Sequence, residues 1–378
     1  MADFHAARIA RGSTKPALLL LSLRALPDNG NLRTSMNELP DKRSRDRKVA
    51  SWLLLCCGLV FAMVVLGGVT RLSGSGLSMA EWRPIMGTLP PLSETEWQRV
   101  FDIYKQTPEF QKVNSHMDVH GFKEIFWLEY LHRLLGRLLG LVFILPLVYF
   151  VARKYIPLRQ LPWYLLMFGL GGLQAVIGKI MVASGQVDAP QVSHYRLTAH
   201  LSAAFLVFAL MFWRAQSLLH GFPDRRSHPW YPRTLALTVL VAVTIVSGGF
   251  VAGLDAGLIY NTFPKMGDYW IPPGLMALEP AWRNFFDNLT TVQFDHRLLA
   301  ITTFTLVVVY WFRARSAGFP IAAGRGANAL LAFAVLQVVL GILTVVLAVP
   351  TALAVSHQAN ALLLLTAALY LLHALRRG

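Results

Sequence analysis

The chain has 378 residues, of which 55% are hydrophobic and only 15% charged, and its mean hydropathy is +0.48. A soluble globular chain carries about 25% charged residues, so composition excludes a soluble enzyme, a disordered protein and a nucleic-acid binder and leaves a polytopic membrane protein. The formal net charge of +15, from 35 basic and 20 acidic side chains, falls largely in loops, where it reports topology and not nucleic-acid binding.

Residues 1–48 are expected as a disordered cytoplasmic tail. Arg8, Arg11 and Lys15 ahead of the apolar stretch 17–23 resemble a short signal peptide, but Arg24 interrupts the stretch early. Met36, just before the basic flank 42–48, is a second candidate start. A spanning helix needs roughly 20 apolar residues, because each adds ~1.5 Å across a ~30 Å hydrocarbon core. Eight segments qualify: 49–69, 130–152, 161–182, 196–213, 234–254, 290–312, 327–349 and 352–375. Residues 326–375 contain no Asp, Glu, Lys or Arg, and Pro350 divides that run into two spans. The connections 41–48, 153–160, 214–233, 313–326 and 376–378 carry 17 Lys/Arg in 53 residues; the long opposite connections 70–128, 183–196 and 255–289 carry 9 in 108. The denser set is expected in the cytoplasm, which puts both termini inside and makes 214–233 a cytoplasmic linker. Cys56 and Cys57 are adjacent in the first span, so they form neither a disulfide framework nor a CxxC metal site and are expected as packing residues.

An internal repeat is visible. Gly67-Gly68, Gly76-Leu77, Met86-Gly87 and Pro90-Pro91 after span one are matched by Gly248-Gly249, Gly257-Leu258, Met266-Gly267 and Pro272-Pro273 after span five. His132-Arg133-Leu134-Leu135 in span two matches His296-Arg297-Leu298-Leu299 in span six. Leu173-Gln174 with Gly178 matches Leu336-Gln337 with Gly341, and His200 matches His357. The repeat is four spans long, so both halves keep one orientation. The fold class is therefore all-α: eight transmembrane helices as two homologous four-helix bundles, 49–213 and 234–378, each able to hold a cofactor between facing helices.

Four of the eleven histidines, His132, His200, His296 and His357, lie in spans at repeat-matched positions, all near the outer end of even-numbered helices. An imidazole from each of two facing helices supplies the two axial ligands of a haem iron. A single such histidine reads equally as a hydrogen-bonded core residue; four that follow a repeat read as metal ligands. Zinc is the other metal to weigh, but four ligands split between two bundles suit two planar cofactors better than one tetrahedral ion. His116 and His120 are expected in a solvated outer loop, His194 at the outer mouth, and His220, His228 and His373 on the cytoplasmic or interfacial side. The halves differ at one place. Glu129 stands three residues before His132, on the same helical face, whereas Gln293 stands three before His296. A carboxylate beside a haem pocket acts as a base or stabilises positive charge on a reacting porphyrin; the plainer alternative is an ion pair with Arg133 or Arg137. The difference assigns turnover to the first half and a permanent redox haem to the second. Arg133 and Arg297 each follow a candidate ligand, positioned either for haem propionates or for snorkelling to the interface.

These residues resemble the haem A synthase family. The resemblance rests on the run 67–78 (GGVTRLSGSGLS) followed by Trp82 and Pro84, on Glu129 with His132, on His200, on 253–257 (GLDAG) with 261–264 (NTFP), and on His296 and His357, across residues 49–375. It implies haem O as substrate at His132 and His200, with Glu129 needed for catalysis. It implies haem b ligated by His296 and His357, with Gln293 and Arg297 in the same cofactor pocket. The implied reaction oxidises a porphyrin methyl to a formyl group, giving haem A for cytochrome oxidase, through two hydroxylations and loss of water. Implied partners are haem O synthase, cytochrome oxidase assembly factors, membrane lipid and a second copy of the chain, but no nucleic acid. The implied location is a bacterial inner membrane with the haem sites near its outer face. Some family members carry a cysteine pair in an outer loop; the outer loops here contain none, so no loop thiol chemistry is available. The competing readings are a dihaem cytochrome b-type electron carrier, such as a quinol oxidoreductase, and a haem transporter or chaperone.

Overall fold

The computed structural model describes residues 29–80, 89–185, 191–221 and 228–376, with side chains from residue 42 onward. Trp82, Pro84 and the stretch 17–23 lie outside the described residues. The chain divides into a first unit, Met1–Arg45, described only as helical backbone from Asn29 up to residue 41, and a second unit, Asp46–Gly378. Among the described residues there are no strands, only one isolated bridge between Met266 and Tyr269.

Among the described residues eight helices are long and apolar enough to cross a membrane. They are α1 (Asn29–Leu72), α4 (Val119–Ala152), α5 (Leu161–Ser184), α6 (His194–His220), α7 (Tyr231–Gly253), α9 (Leu289–Ala314), α10 (Ile321–Val346) and α11 (Thr351–Leu375). Short helices α2 (Glu94–Tyr104), α3 (Pro108–Lys112) and α8 (Asn284–Asp287) lie in the connections. Two boundaries depart from hydropathy. α6 runs on to His220 into the expected linker, because the charge of Arg214 is accommodated on the helix: its guanidinium donates to Gln160 Oε1 (2.6 Å) and to the Tyr164 hydroxyl (3.1 Å). α4 starts at Val119 and not at 130, with Asp118 capping it by accepting from Gly121 N (2.9 Å).

That early start of α4 serves packing. Phe122, Ile125 and Phe126, spaced i, i+3, i+4, are buried. The buried face of α2 (Trp97, Phe101 and Tyr104) covers them, with the Trp97 and Phe126 rings 5.0 Å apart. Glu109 of α3 is buried in this aromatic cap, accepting a hydrogen bond from the Tyr104 hydroxyl (3.2 Å).

The membrane helices pack around α11, the most buried of the spans, while α5 and α10 are the most exposed. α11 packs against α10, α7 and α6, and α6 against α5 and α7. α1 joins this centre. Its Trp52 indole donates to Val142 O of α4 (2.8 Å), and its Val64 carbonyl accepts from Gln358 of α11 (2.8 Å). The paired glycines explain how these helices approach. A β-carbon on Gly68 would lie 3.1 Å from the Gln358 side chain of α11, and one on Gly249 would lie 3.0 Å from Thr198 of α6. The second glycine of each pair thus faces a helix of the other repeat half. The loops that follow also match: Gly74 (φ 65°) and Asp255 (φ 53°) occupy equivalent left-handed positions. Asp255 is a costlier residue there; its carboxylate accepts from Arg71 (2.8 Å), which also donates to the Ala252 carbonyl. Cys56 and Cys57 are free thiols buried in the core.

Burial pushes the Glu109 carboxyl up from its ordinary 4.5 to about 7. The folded cap therefore favours the protonated acid. Its stabilising contribution is complete below about pH 4.5 and is lost as pH rises through about 7. Amide exchange in α2 and α3 is expected to quicken between pH 5 and 8 beyond the intrinsic base-catalysed rate, and Glu109→Gln is expected to remove that excess. An equal excess in both proteins would refute the assignment.

Candidate active site

The four repeat-matched histidines are each set on a glycine of the preceding membrane helix. A β-carbon on Gly67 of α1 would lie 3.1 Å from His132 Nε2 of α4, and one on Gly178 of α5 would lie 3.4 Å from His200 Cε1 of α6. In the second half, Gly248 of α7 would bring a β-carbon to 3.0 Å from His296 of α9, and Gly341 of α10 to 2.9 Å from His357 of α11. The histidines fall two to each repeat half, His132 with His200 in the first and His296 with His357 in the second. Among the described residues no group of three or more His, Cys, Asp or Glu gathers as a metal site.

Beside His132 the Glu129 side chain is buried and fully engaged. Its Oε2 accepts from the Ser78 hydroxyl (2.7 Å) and the Met79 backbone N–H (2.8 Å). Its Oε1 accepts from Arg133 (2.5 Å), whose guanidinium also reaches Met79 O (3.2 Å). The ion pair is therefore with Arg133. In the equivalent place, Gln293 is buried and donates to Tyr260 O (3.1 Å), while its Oε1 finds no partner. Arg297 donates to the carbonyls of Tyr260 (2.7 Å), Thr262 (2.8 Å) and Lys265 (3.3 Å). Met79 and Tyr260 are repeat equivalents, so each arginine ties the loop after the first span of its repeat half to the second span, which carries the histidine. Of the described acids only Glu109 and Glu129 are buried, and of these two Glu129 is the one in a span.

The remaining histidines fall elsewhere. His116 and His120 are exposed, His120 within the first turn of α4 and not in a loop. His194 begins α6 and contacts Asp287 (3.0 Å), whose other oxygen accepts from Arg283 (3.0 Å). His373 is buried against Ser217 (3.2 Å) and the Trp213 ring. Sequence reasoning missed Ser78, Ser247 and Asn360 as site residues. Ser247 lies 2.8 Å from His296 Nδ1, and Asn360 donates to Gln337, which contacts His357. The signal for all three was available as a difference between the repeat halves, where Ile259, Leu66 and Ala203 stand at the equivalent positions.

The paired donors fit a haem group. Two imidazoles per site are the donor chemistry of a bis-histidine haem, and at each imidazole glycine keeps clear the space that a β-carbon would fill. In the first half, moreover, His200 Nδ1 and both amide atoms of Gln174 are buried without a partner.

Residues 50–369 match the cytochrome oxidase assembly protein family, COX15-CtaA. The chain is 50% identical to heme A synthase of Nitrosospira multiformis over 348 residues, 90% of this chain and 98% of that protein. It is 49% identical to heme A synthase of Paramagnetospirillum magneticum, covering 88% of this chain and 94% of that protein. To heme A synthase COX15 of Homo sapiens it is 45% identical over 90% of its own length and 85% of the human protein. With paired intramembrane imidazoles on a duplicated helical frame and these matches along most of its length, the chain belongs to the cytochrome oxidase assembly protein family COX15-CtaA.

Proposed function

We propose that the chain is a haem A synthase, a multi-pass membrane enzyme that oxidises a methyl group of haem O to the formyl group of haem A. The observation that carries the reading is the difference three residues before the histidine in the two sites: Glu129, held by Ser78, Met79 and Arg133, against neutral Gln293. The two repeat halves act as two four-helix bundles, with the termini in the cytoplasm and the histidines toward the outer face of a bacterial inner membrane.

In the first half, His132 and His200 face the iron of the substrate haem O. Oxidation of its methyl group to a formyl group, with water as the oxygen donor and an external electron acceptor taking four electrons, develops positive charge at the methyl carbon and releases four protons. Glu129 places a negative group beside that carbon and takes up a proton there. Its three donors hold it in position before the reaction begins, which is where such a group gains most in a dry site. In the second half, His296 and His357 would hold haem b, which supplies one-electron transfer when bound, with Gln293 and Arg297 lining the same pocket. A dihaem electron carrier is less favoured, because it gives no role to a carboxylate at one site alone. Haem O synthase, cytochrome oxidase assembly factors and a second copy of the chain are the partners this reading brings.

Expression with a haem O supply is expected to yield haem A among the extracted pigments; haem O recovered unchanged would sink the assignment. Glu129→Ala is expected to lower conversion by about 10²–10³-fold, with haem b retained at parental stoichiometry in a pyridine haemochrome assay. Full conversion in that variant would remove Glu129 from the mechanism. Gly341→Ala forces a methyl group onto His357 and is expected to reduce retained haem b without altering the helical content seen by circular dichroism. Parental haem content in Gly341→Ala would show that the contact is not needed.

A further inference from the structure

The two halves present the same donors but hold them differently. In the second half, the Ser247 hydroxyl donates its only proton to Thr244 O (2.8 Å), so toward His296 its oxygen accepts, receiving the Nδ1 proton across 2.8 Å. With Nδ1 donating, the Nε2 lone pair is left for a metal. On the facing helices, Asn360 Nδ2 donates to Phe333 O (3.0 Å) and to Gln337 Oε1 (2.6 Å). A backbone carbonyl only accepts, so Phe333 determines the orientation of Asn360, and Asn360 in turn that of Gln337. The Gln337 Nε2 is thereby turned to donate to the His357 backbone carbonyl (3.1 Å), beside the His357 ring. Asn360 is 3% exposed, so solvent does not compete for these bonds.

In the first half the supporting residues change while the ligands do not. Leu66 stands in the place of Ser247 and Ala203 in the place of Asn360. Gln174 is retained at the position of Gln337, yet neither its amide atoms nor His200 Nδ1 has a partner. An apolar side chain next to His132 fixes no tautomer, and an amide that nothing orients does not hold a ring.

We propose that Ser247 and the Gln337–Asn360 pair are positioning residues that fix His296 and His357 for a haem that stays bound, and that Leu66 and Ala203 leave His132 and His200 free to release theirs. The proposal rests on the reading that the resident haem lies in the second half, and it adds the reason one of two like sites is permanent and the other exchanges.

The test uses the full-length purified protein with its haem b, mixed with excess apomyoglobin as haem acceptor, and records both the rate of haem b loss and the reduction potential. Ser247→Ala and Asn360→Ala are each expected to speed loss by about 10–100-fold, the usual effect of removing a partner behind a metal ligand. Ser247→Ala also raises the potential, because an imidazole without its acceptor is a weaker donor to ferric iron; Ser247→Thr restores both values. In the first half, the double variant Leu66→Ser with Ala203→Asn is expected to slow loss of added haem O by a similar factor. Unchanged loss and unchanged potential in Ser247→Ala and Asn360→Ala, alongside a His296→Ala protein that lacks haem b, would overturn the proposal. Should His296→Ala and His357→Ala both retain parental haem b, the location of the resident haem would be what fails.

Discussion

An imidazole set against a helix backbone, with glycine as the only residue that lets it approach, recurs four times in this molecule and orders the rest of it. Gly67, Gly178, Gly248 and Gly341 each receive one histidine from the next helix along the chain. Any larger side chain at Gly248 or Gly341 would press on the ring at about 3 Å, so these contacts dictate how near α7 comes to α9 and α10 to α11. The neighbouring glycines, Gly68 and Gly249, bring α1 to α11 and α6 to α7. One dipeptide thus does two jobs: its first residue clears an imidazole and its second lets the repeat halves meet.

On that shared frame the chemistry is differentiated by a few side chains. Met79 and Tyr260 offer the same carbonyl to Arg133 and Arg297. The carboxylate of Glu129 adds two donors, Ser78 and the Met79 N–H, that Gln293 has no counterpart for. In an apolar surrounding, a charge held by three donors keeps its place and its field, whereas in water both would be screened. The second half invests its polar side chains behind the ligands instead, at Ser247, Gln337 and Asn360. The two halves match along the repeat, and at several matched positions a polar residue in one half stands against an apolar one in the other.

The spans were legible because hydrocarbon imposes length and apolarity on every one of them, and the four histidines because a repeat marks them twice. Two boundaries were not. Arg214 ends a span by hydropathy, but its charge is met by Gln160 and Tyr164 on the adjacent helix, and the helix continues. The start of α4 at Val119 depends on an aromatic cap formed with α2, a packing event between segments that hydropathy treats as loop.

What the chain determines on its own is therefore its class, its duplication and the identity of the donors, since these follow from residue type and from periodicity along one dimension. Which partner Glu129 takes, which hydroxyl meets His296 and which amides are left unpaired were decided only in three dimensions. Ser78 and Glu129 are 51 positions apart, and Ser247 and His296 are 49 apart. A hydrogen bond across that separation has no periodic signature; it exists because helices and loops close on one another, and only the packed structure places its two ends within reach.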